Sequence, residues 1–171
     1  MPIERSTGKT RRERMVPMNR STAREIAVHF AFELAFSSDS AVRLLERELT
    51  PEAFALRGRE EPLYAEFPGE GELKYITTLV RGVGGHGAEL DGYIGKYAKG
   101  WRFSRIDRVA AAIMRVAMYE ILYMPDIPNK AAINEAVEIA KKYVDDDVVK
   151  FINGILGSFV RSELPDGSED A

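Results

Sequence analysis

The chain has 171 residues, of which 45% are hydrophobic and 30% are charged, and a chain of this length ordinarily folds as one domain with its own apolar core. It contains no cysteine, which excludes disulfides and thiolate metal sites. No apolar run approaches the roughly 18 residues of a membrane span, and residues 1–20 lack the apolar segment of a signal peptide. We therefore expect a soluble, cytoplasmic protein.

Charge is distributed unevenly along the sequence. Residues 1–24 carry seven basic and two acidic side chains, whereas residues 162–171 carry four acidic side chains and no basic one. A basic segment is the usual electrostatic signature of a polyanionic partner, although it also fits a solvated tail. We predict a flexible basic arm over residues 1–19, an ordered domain over 20–161 and an acidic, disordered tail over 162–171.

The first helix is predicted to begin near Arg20. Thr22 and Glu25 have the spacing of a capping box, in which both side chains satisfy free backbone amides at a helix start. Apolar residues then recur every three or four positions as far as Ala35. This is the period of a helix that buries one face.

The remainder of the chain also follows a helical period, and no segment alternates as a strand does. Thr50-Pro51 fits an N-cap followed by proline at the first helical position, and residues 57–71, rich in Gly, Pro and Glu, fit a loop. Ser104 and Asp107 repeat the spacing of a capping box before the most apolar helix of the chain. The predicted fold class is all-α, a helical bundle of about six or seven helices.

One local motif, Gly82-Val-Gly84-Gly-His-Gly87, has the spacing of a dinucleotide-binding fingerprint. That fingerprint binds pyrophosphate where it follows a strand and opens a helix, whereas here it interrupts a helical stripe. We therefore predict a break between two helices. The acidic run Asp145–Asp147 could hold a hard cation, but its position just before a helix favours capping.

Candidate catalytic residues are few. His29 and His86 are the only histidines, and neither has a recognisable partner for catalysis or for a metal site. Arg115 interrupts an apolar stretch, and an ion pair with Glu135 explains it better than a contact with RNA phosphate. We expect no catalytic residue, no metal site and no cofactor.

Three sequence blocks are specific in combination and in order. They are Ile106–Glu120, Pro128–Lys141 and Lys150–Leu156. Together with a first helix that contains Ala23-Arg24-Glu25, they closely resemble the NusB family of transcription antitermination factors over residues 20–160.

The resemblance implies a bundle of two small helical subdomains without catalytic activity. Members of the family bind the single-stranded boxA sequence of ribosomal RNA transcripts together with NusE, which is also a small-subunit ribosomal protein. The complex helps RNA polymerase to read through terminators. The same RNA, the same protein partner and no membrane are therefore expected for this chain.

The resemblance also assigns site residues by position. The RNA-contacting positions are Arg20 and Arg24 at the start of the first helix, and Asp147, Lys150 and Phe151 at the start of the last helix. Phe32 falls near the partner-protein surface, where a tyrosine is commoner in the family. Ser21 and Thr22 stand where many relatives continue an arginine cluster, so some RNA contacts are expected to lie in the basic arm instead.

The pair Lys150-Phe151 also suits single-stranded RNA on chemical grounds, because such RNA offers phosphates to cations and unstacked bases to aromatic rings. Phe151 could instead complete the apolar stripe of the last helix. We expect stacking, since Ile152, Ile155 and Leu156 already supply a core face.

Two alternatives to an antitermination factor remain open. The first is a homodimeric protein-interaction module of the same fold that hides its RNA surface. The second is an RNA-binding domain that serves a ribosomal RNA methyltransferase, since related helical domains are fused to such enzymes.

Overall fold

Helices make up nearly all of the structure. The computed structural model describes residues 17–102 and 105–164, and the backbone of these residues forms eight α-helices, one 3₁₀ helix and no strand. The helices are α1 (Arg20–Phe36), α2 (Ala41–Glu48), α3 (Pro51–Arg57), the 3₁₀ helix (Pro62–Tyr64), α4 (Glu70–Gly85), α5 (Gly87–Tyr97), α6 (Arg108–Tyr123), α7 (Asn129–Tyr143) and α8 (Asp146–Glu163). The all-α prediction is confirmed.

The predicted arm and tail fall mostly outside the described residues. Of the arm, only residues 17–19 are described, and there Asn19 caps α1. Helix α8 continues to Glu163, which is two residues beyond the predicted end of the domain at 161.

Helix α6 lies at the centre of the bundle. It packs against α1, α4, α5, α7 and α8. Its sequence accounts for this position, because Ile113, Ala117 and Ile121 form one apolar stripe while the run Ala110–Ala112 lets neighbouring helices approach closely, and all of these residues are buried. Two groups of helices, α1–α4 and α5–α8, meet where α1 and α4 pack on α6.

The capping residue of α1 differs from the predicted one. The N-cap is Asn19, whose Oδ1 accepts a hydrogen bond of 2.8 Å from the backbone N–H of Thr22. The capping box of Thr22 and Glu25 is therefore wrong. The helix begins at Arg20, as expected, but its cap lies three residues before Thr22, and Glu25 instead accepts hydrogen bonds from Lys142 and Tyr143 of α7.

Three other helix starts were assigned from the sequence. Thr50 caps α3 as predicted, since its Oγ1 accepts from the N–H of Ala53 at 3.1 Å. Asp107 is itself the N-cap of α6 and accepts from the N–H of Ala110 at 2.9 Å, whereas its predicted partner Ser104 lies outside the described residues. Asp145 occupies the N-cap position of α8 without a side-chain hydrogen bond there.

The glycine motif forms the junction between α4 and α5, as predicted, and it follows a helix rather than a strand. Helix α4 ends at Gly85 and α5 begins at Gly87, with His86 between them. Gly82 has a packing reason, because a Cβ at that position would overlap the ring of Tyr119 on α6.

We expect Gly82→Ala to lower the free energy of unfolding by about 1 to 3 kcal/mol, because the new methyl group forces the Tyr119 ring out of its place between α4 and α6. The matched control is Gly92→Ala in α5, where a Cβ meets nothing within 4 Å. That variant should gain up to about 1 kcal/mol, the usual difference between Ala and Gly in a helix. Urea unfolding followed by circular dichroism measures both, and equal effects would contradict the assignment.

Candidate nucleic-acid interface

An aromatic cleft lies at the N-terminal end of α8. The ring of Phe151 meets the indole of Trp101 edge to face, with ring centroids 5.7 Å apart. Phe151 is half-buried, whereas Trp101 is 60% exposed. The cleft encloses a cavity of about 190 Å³, which is lined by Trp101, Arg105, Ile106, Asp107, Ala110, Asp147, Val148 and Phe151.

The connection between α5 and α6 places Trp101 in this cleft. Helix α5 is followed by Gly100, whose φ of 81° lies in the left-handed region that favours glycine. The N–H of Trp101 then donates to the carbonyl oxygen of Ala98 at 3.1 Å and closes the turn. The indole is thereby directed at the first turns of α8.

Charged groups surround the cleft. Asp147 lies exposed in the first turn of α8, and Arg105, which is also exposed, lines the same cavity from the connection between α5 and α6. Lys150 is exposed, and within the described part of the chain no ion pair or hydrogen bond engages its ammonium group. The fold therefore brings together Asp147, Lys150 and Phe151, three of the predicted site residues.

Such a cleft is chemically suited to a nucleobase. Two aromatic rings offer stacking surface, a carboxylate accepts hydrogen bonds from base amino or imino groups, and a free ammonium meets phosphate. Trp101 and Arg105 were not predicted from the sequence, because they lie in a connection that has no periodic pattern. The available signal was a single tryptophan that follows a glycine and precedes an arginine between two helices.

Arg20 and Arg24, the other predicted RNA-contacting residues, do not line the cleft. Arg20 is exposed at the start of α1, where its Nε lies 2.8 Å from Oε2 of Glu72 and its guanidinium covers the ring of Tyr75 at 3.9 Å. The positive charge of Arg20 is thus partly balanced by Glu72 on α4.

Arg24 is buried in an ion pair. Its Nε and Nη2 donate to the carboxylate of Glu120 on α6 at 2.8 and 3.0 Å, and its Nη1 lies 3.3 Å from Oε2 of Glu135 on α7. Burial alone would lower the pKa of Arg24, but the hydrogen bonds and the charge of Glu120 raise it above its ordinary value. This geometry gives Arg24 a structural position, and a direct contact with RNA stays a prediction.

The predicted pair of Arg115 with Glu135 is wrong. The Nε of Arg115 lies 2.6 Å from Oδ1 of Asp91 on α5, and Glu135 pairs instead with Arg24 and accepts from the hydroxyl of Ser21. The expectation that Arg115 makes a structural ion pair holds, but with an acid from another helix.

Phe32 lies half-buried on α1, beside a second cavity. Its ring lies 4.8 Å from that of Phe36, which is 52% exposed. The cavity measures about 320 Å³ and is lined by Val28, His29, Phe32, Glu33, Arg57, Glu61, Val109 and Tyr143. Val109 on α6 lines this cavity and its neighbour Ala110 lines the aromatic cleft, so the two sites adjoin at the N-terminal turn of α6.

His29 sits between two tyrosine hydroxyls in the wall of the second cavity. Its Nδ1 lies 2.9 Å from the hydroxyl of Tyr64, and its Nε2 lies 2.7 Å from the hydroxyl of Tyr143. Tyr143 donates to Glu25, and Arg57 donates to Tyr64.

These contacts, together with the protonation state of His29, assign the directions of the hydrogen bonds. The hydroxyl of Tyr143 donates to Glu25, so it accepts from Nε2 of His29. The hydroxyl of Tyr64 accepts from Arg57 and donates to Nδ1 of His29. Because burial lowers the pKa of His29 below its ordinary value, the ring is neutral at pH 7 and carries its proton on Nε2. Burial also raises the pKa values of Tyr64 and Tyr143, which agrees with a neutral chain of groups.

The described residues contain neither a candidate metal site nor a candidate membrane span. Within residues 17–102 and 105–164, no three His, Asp or Glu side chains are grouped so that they could hold a metal ion. In the same residues, no helix combines the length and the apolar character needed to cross a membrane.

The family model of the NusB family matches residues 21–161. The chain belongs to the NusB family. The resemblance inferred from three sequence blocks is thereby confirmed, and the match spans both the aromatic cleft and the α1 ion pair. NusB proteins are transcription antitermination factors.

Similar NusB proteins occur in several bacteria. The transcription antitermination protein NusB of Acetivibrio thermocellus is 39% identical over 155 residues, which cover 90% of this chain and 97% of that protein. The NusB protein of Carboxydothermus hydrogenoformans is 41% identical over 140 residues, which cover 82% of this chain and 91% of that protein.

Two solved structures share the NusB fold. T. maritima NusB has a TM-score of 0.68 at 23% identity and covers 91% of this chain and 100% of its own. A chain from a crystal structure of a plectonemic RNA supercoil has a TM-score of 0.69 at 21% identity and covers 85% of this chain and 96% of its own. At these identities the two structures establish the architecture alone.

We expect Arg24→Ala to lower the free energy of unfolding by about 3 to 5 kcal/mol, because it leaves the fully buried carboxylate of Glu120 without its partner. The control is Arg20→Ala, which removes an exposed pair and should cost at most about 1 kcal/mol. Urea unfolding of both variants provides the comparison. A stable Arg24→Ala protein that has lost RNA affinity would instead favour direct contact with RNA.

The His29 network predicts that acid destabilises the fold. Because the pKa of His29 is lower in the folded chain than the ordinary value of about 6.5, the unfolded state binds more protons as the pH falls through that value. The free energy of unfolding should therefore decrease between about pH 7.5 and 5.5. His29→Gln removes this titration and should flatten the decrease, as measured by urea unfolding at both pH values. The same decrease in both proteins would show that His29 is not its source.

Proposed function

We propose that the chain is an antitermination factor that binds the single-stranded boxA sequence of ribosomal RNA transcripts together with NusE. In this proposal it acts without catalysis, in the cytoplasm, as part of the complex that lets RNA polymerase read through terminators. Membership of the NusB family supports the general activity. The observation that carries the RNA partner is the aromatic cleft between Trp101 and Phe151.

The cleft favours a single strand over a duplex. An indole that is 60% exposed can stack only on a base that has left its own stack. Beside it, Asp147 supplies an acceptor without a proton of its own, so it suits bases that present amino or imino donors. We assign Trp101 and Phe151 to stacking and Asp147 to the edge of the same base.

Phosphate contacts are assigned to Lys150 and Arg105. Lys150 has no ion pair within the described residues, and Arg105 is exposed and lines the cavity. Arg20, at the N-terminal end of α1, offers a third cation, although its Nε already lies 2.8 Å from Oε2 of Glu72. In this proposal Arg24 acts on RNA binding by holding α1 against α6 and α7.

The protein partner is assigned to the surface around Phe32. The exposed ring of Phe36 and the half-buried ring of Phe32 form an apolar patch at the end of α1. Such a patch next to a cavity is typical of a protein contact rather than of a contact with phosphate.

Substitution of the cleft residues tests the RNA assignment. Trp101→Ala and Phe151→Ala should each weaken binding of a boxA single strand by about 1 to 3 kcal/mol, the usual effect of losing one base-aromatic stack. Tyr123→Ala, which removes an exposed aromatic ring elsewhere on α6, is the control and should leave the affinity unchanged. Fluorescence anisotropy with labelled RNA measures all three, and urea unfolding shows whether half-buried Phe151 also supports the core.

Salt dependence provides a second readout of the same interface. If Lys150 meets a phosphate, Lys150→Ala should weaken binding and make the slope of log affinity against log salt shallower by about 0.7. Unchanged affinity in the Trp101, Phe151 and Lys150 variants would reject the cleft as the RNA site. The mass of the protein in solution, measured in parallel, distinguishes a homodimer that hides this surface.

A further inference from the structure

The cavity beside Phe32 combines apolar walls with acidic groups at its mouth. Val28, Phe32 and Val109 supply the apolar lining, while Glu33 and Glu61 supply the carboxylates. Arg57 also lines the cavity, so two carboxylates face one guanidinium. This excess of negative charge disfavours phosphate and suits a cation that is carried on an aliphatic chain.

The two carboxylates differ in their partners. Glu33 is balanced by Arg57, whose Nη2 lies 2.6 Å from its Oε1, and the same guanidinium also pairs with Glu48 at 2.8 Å. Glu61 is 55% exposed, and among the described residues its one charged contact within 4.0 Å is Nδ1 of His29, at that limit. Glu61 is therefore the carboxylate with spare capacity for a partner.

His29 does not supply a positive charge to pair with Glu61, because its ring takes part in a hydrogen-bond chain with two tyrosines. Nδ1 of His29 already accepts from the hydroxyl of Tyr64 and carries no proton that it could donate to Glu61. Tyr64 in turn accepts from Arg57, and Tyr143 donates to Glu25. The side of the cavity that faces Glu61 thus stays neutral.

The remaining surface fits the stem of a long basic side chain. Its methylene groups can lie against Phe32 and Val109 while the charged end reaches Glu61. The faces of the Phe32 and Tyr143 rings, which also line the cavity, attract a cation. A lysine or an arginine satisfies all of these features, and an acidic or a purely apolar side chain does not.

We propose that a lysine or arginine side chain of the protein partner enters this cavity and pairs with Glu61. The inference rests on the proposed function, in which NusE is that partner. It adds Glu61, which lies outside α1, as a specificity-determining residue. The bound cation occupies a pocket whose wall includes Val109, one residue from the lining of the aromatic cleft.

Binding of purified NusE to three variants tests the proposal. Glu61→Gln keeps the shape of the side chain and removes its charge, and it should weaken NusE binding by about 5- to 20-fold. The matched control, Glu60→Gln, removes the same charge from the neighbouring exposed residue, which does not line the cavity; it should change binding less than about twofold. Phe32→Ala reports whether NusE covers this surface at all.

A double-mutant cycle identifies the cation. Each exposed lysine and arginine of NusE is changed to alanine and titrated against the wild-type chain and against Glu61→Gln. One substitution should weaken binding to the wild-type chain by a similar factor and have little further effect on Glu61→Gln.

The outcomes separate this proposal from the function on which it rests. Failure of NusE to bind the wild-type chain would overturn the proposed partner. If NusE binds and Phe32→Ala weakens binding, but Glu61→Gln binds like Glu60→Gln, the partner stands and the cation pocket is wrong. The pocket is also wrong if no lysine or arginine of NusE couples to Glu61.

Discussion

The ion pair between Arg24 and Glu120 is the constraint on which the arrangement of α1 depends. Both side chains are buried, and a buried charge is tolerated only when its partner and its hydrogen bonds are in place. Because Arg24 also reaches Glu135, one guanidinium joins α1 to α6 and α7. The rotation of α1 about its axis is thereby fixed, and this rotation directs His29 and Phe32 toward the second cavity.

This use of charge changes how a polyanion can be attracted. The arginines at the start of α1 are engaged internally, Arg24 by Glu120 and Arg20 by Glu72. Near the aromatic cleft, Lys150 and Arg105 are exposed cations without an ion pair among the described residues. Residues 1–16 carry five basic and two acidic side chains, so on the proposed function a large part of the long-range attraction to RNA comes from the sequence that precedes the bundle.

Features that depend on local periodicity, such as the burial of a helix, could be predicted from the sequence. Contacts between segments that are distant in the chain could not. The stripe through Ile113, Ala117 and Ile121 identified the most buried helix, because a helical period reports burial directly. Arg115 was correctly expected to need an acid, but Asp91 on α5 and Glu135 on α7 are both plausible from the sequence, and only the packing of α5 on α6 decides between them. Trp101 escaped notice for a related reason, since its meeting with Phe151 depends on the turn at Gly100.

The proximity of the two sites gives a physical route by which one ligand can affect the other. Val109 and Ala110 are consecutive residues of α6, yet one lines the cavity beside Phe32 and the other lines the aromatic cleft. Asp107 caps this turn through the N–H of Ala110, so the turn behaves as one rigid unit rather than as a frayed helix end. On the proposed function, a partner that packs on Val109 restrains the same turn that forms the floor of the cleft. Because the turn moves as one unit, a contact that shifts Val109 also shifts Ala110 in the lining of the cleft, and this shared element is the route by which binding of NusE changes the affinity for RNA.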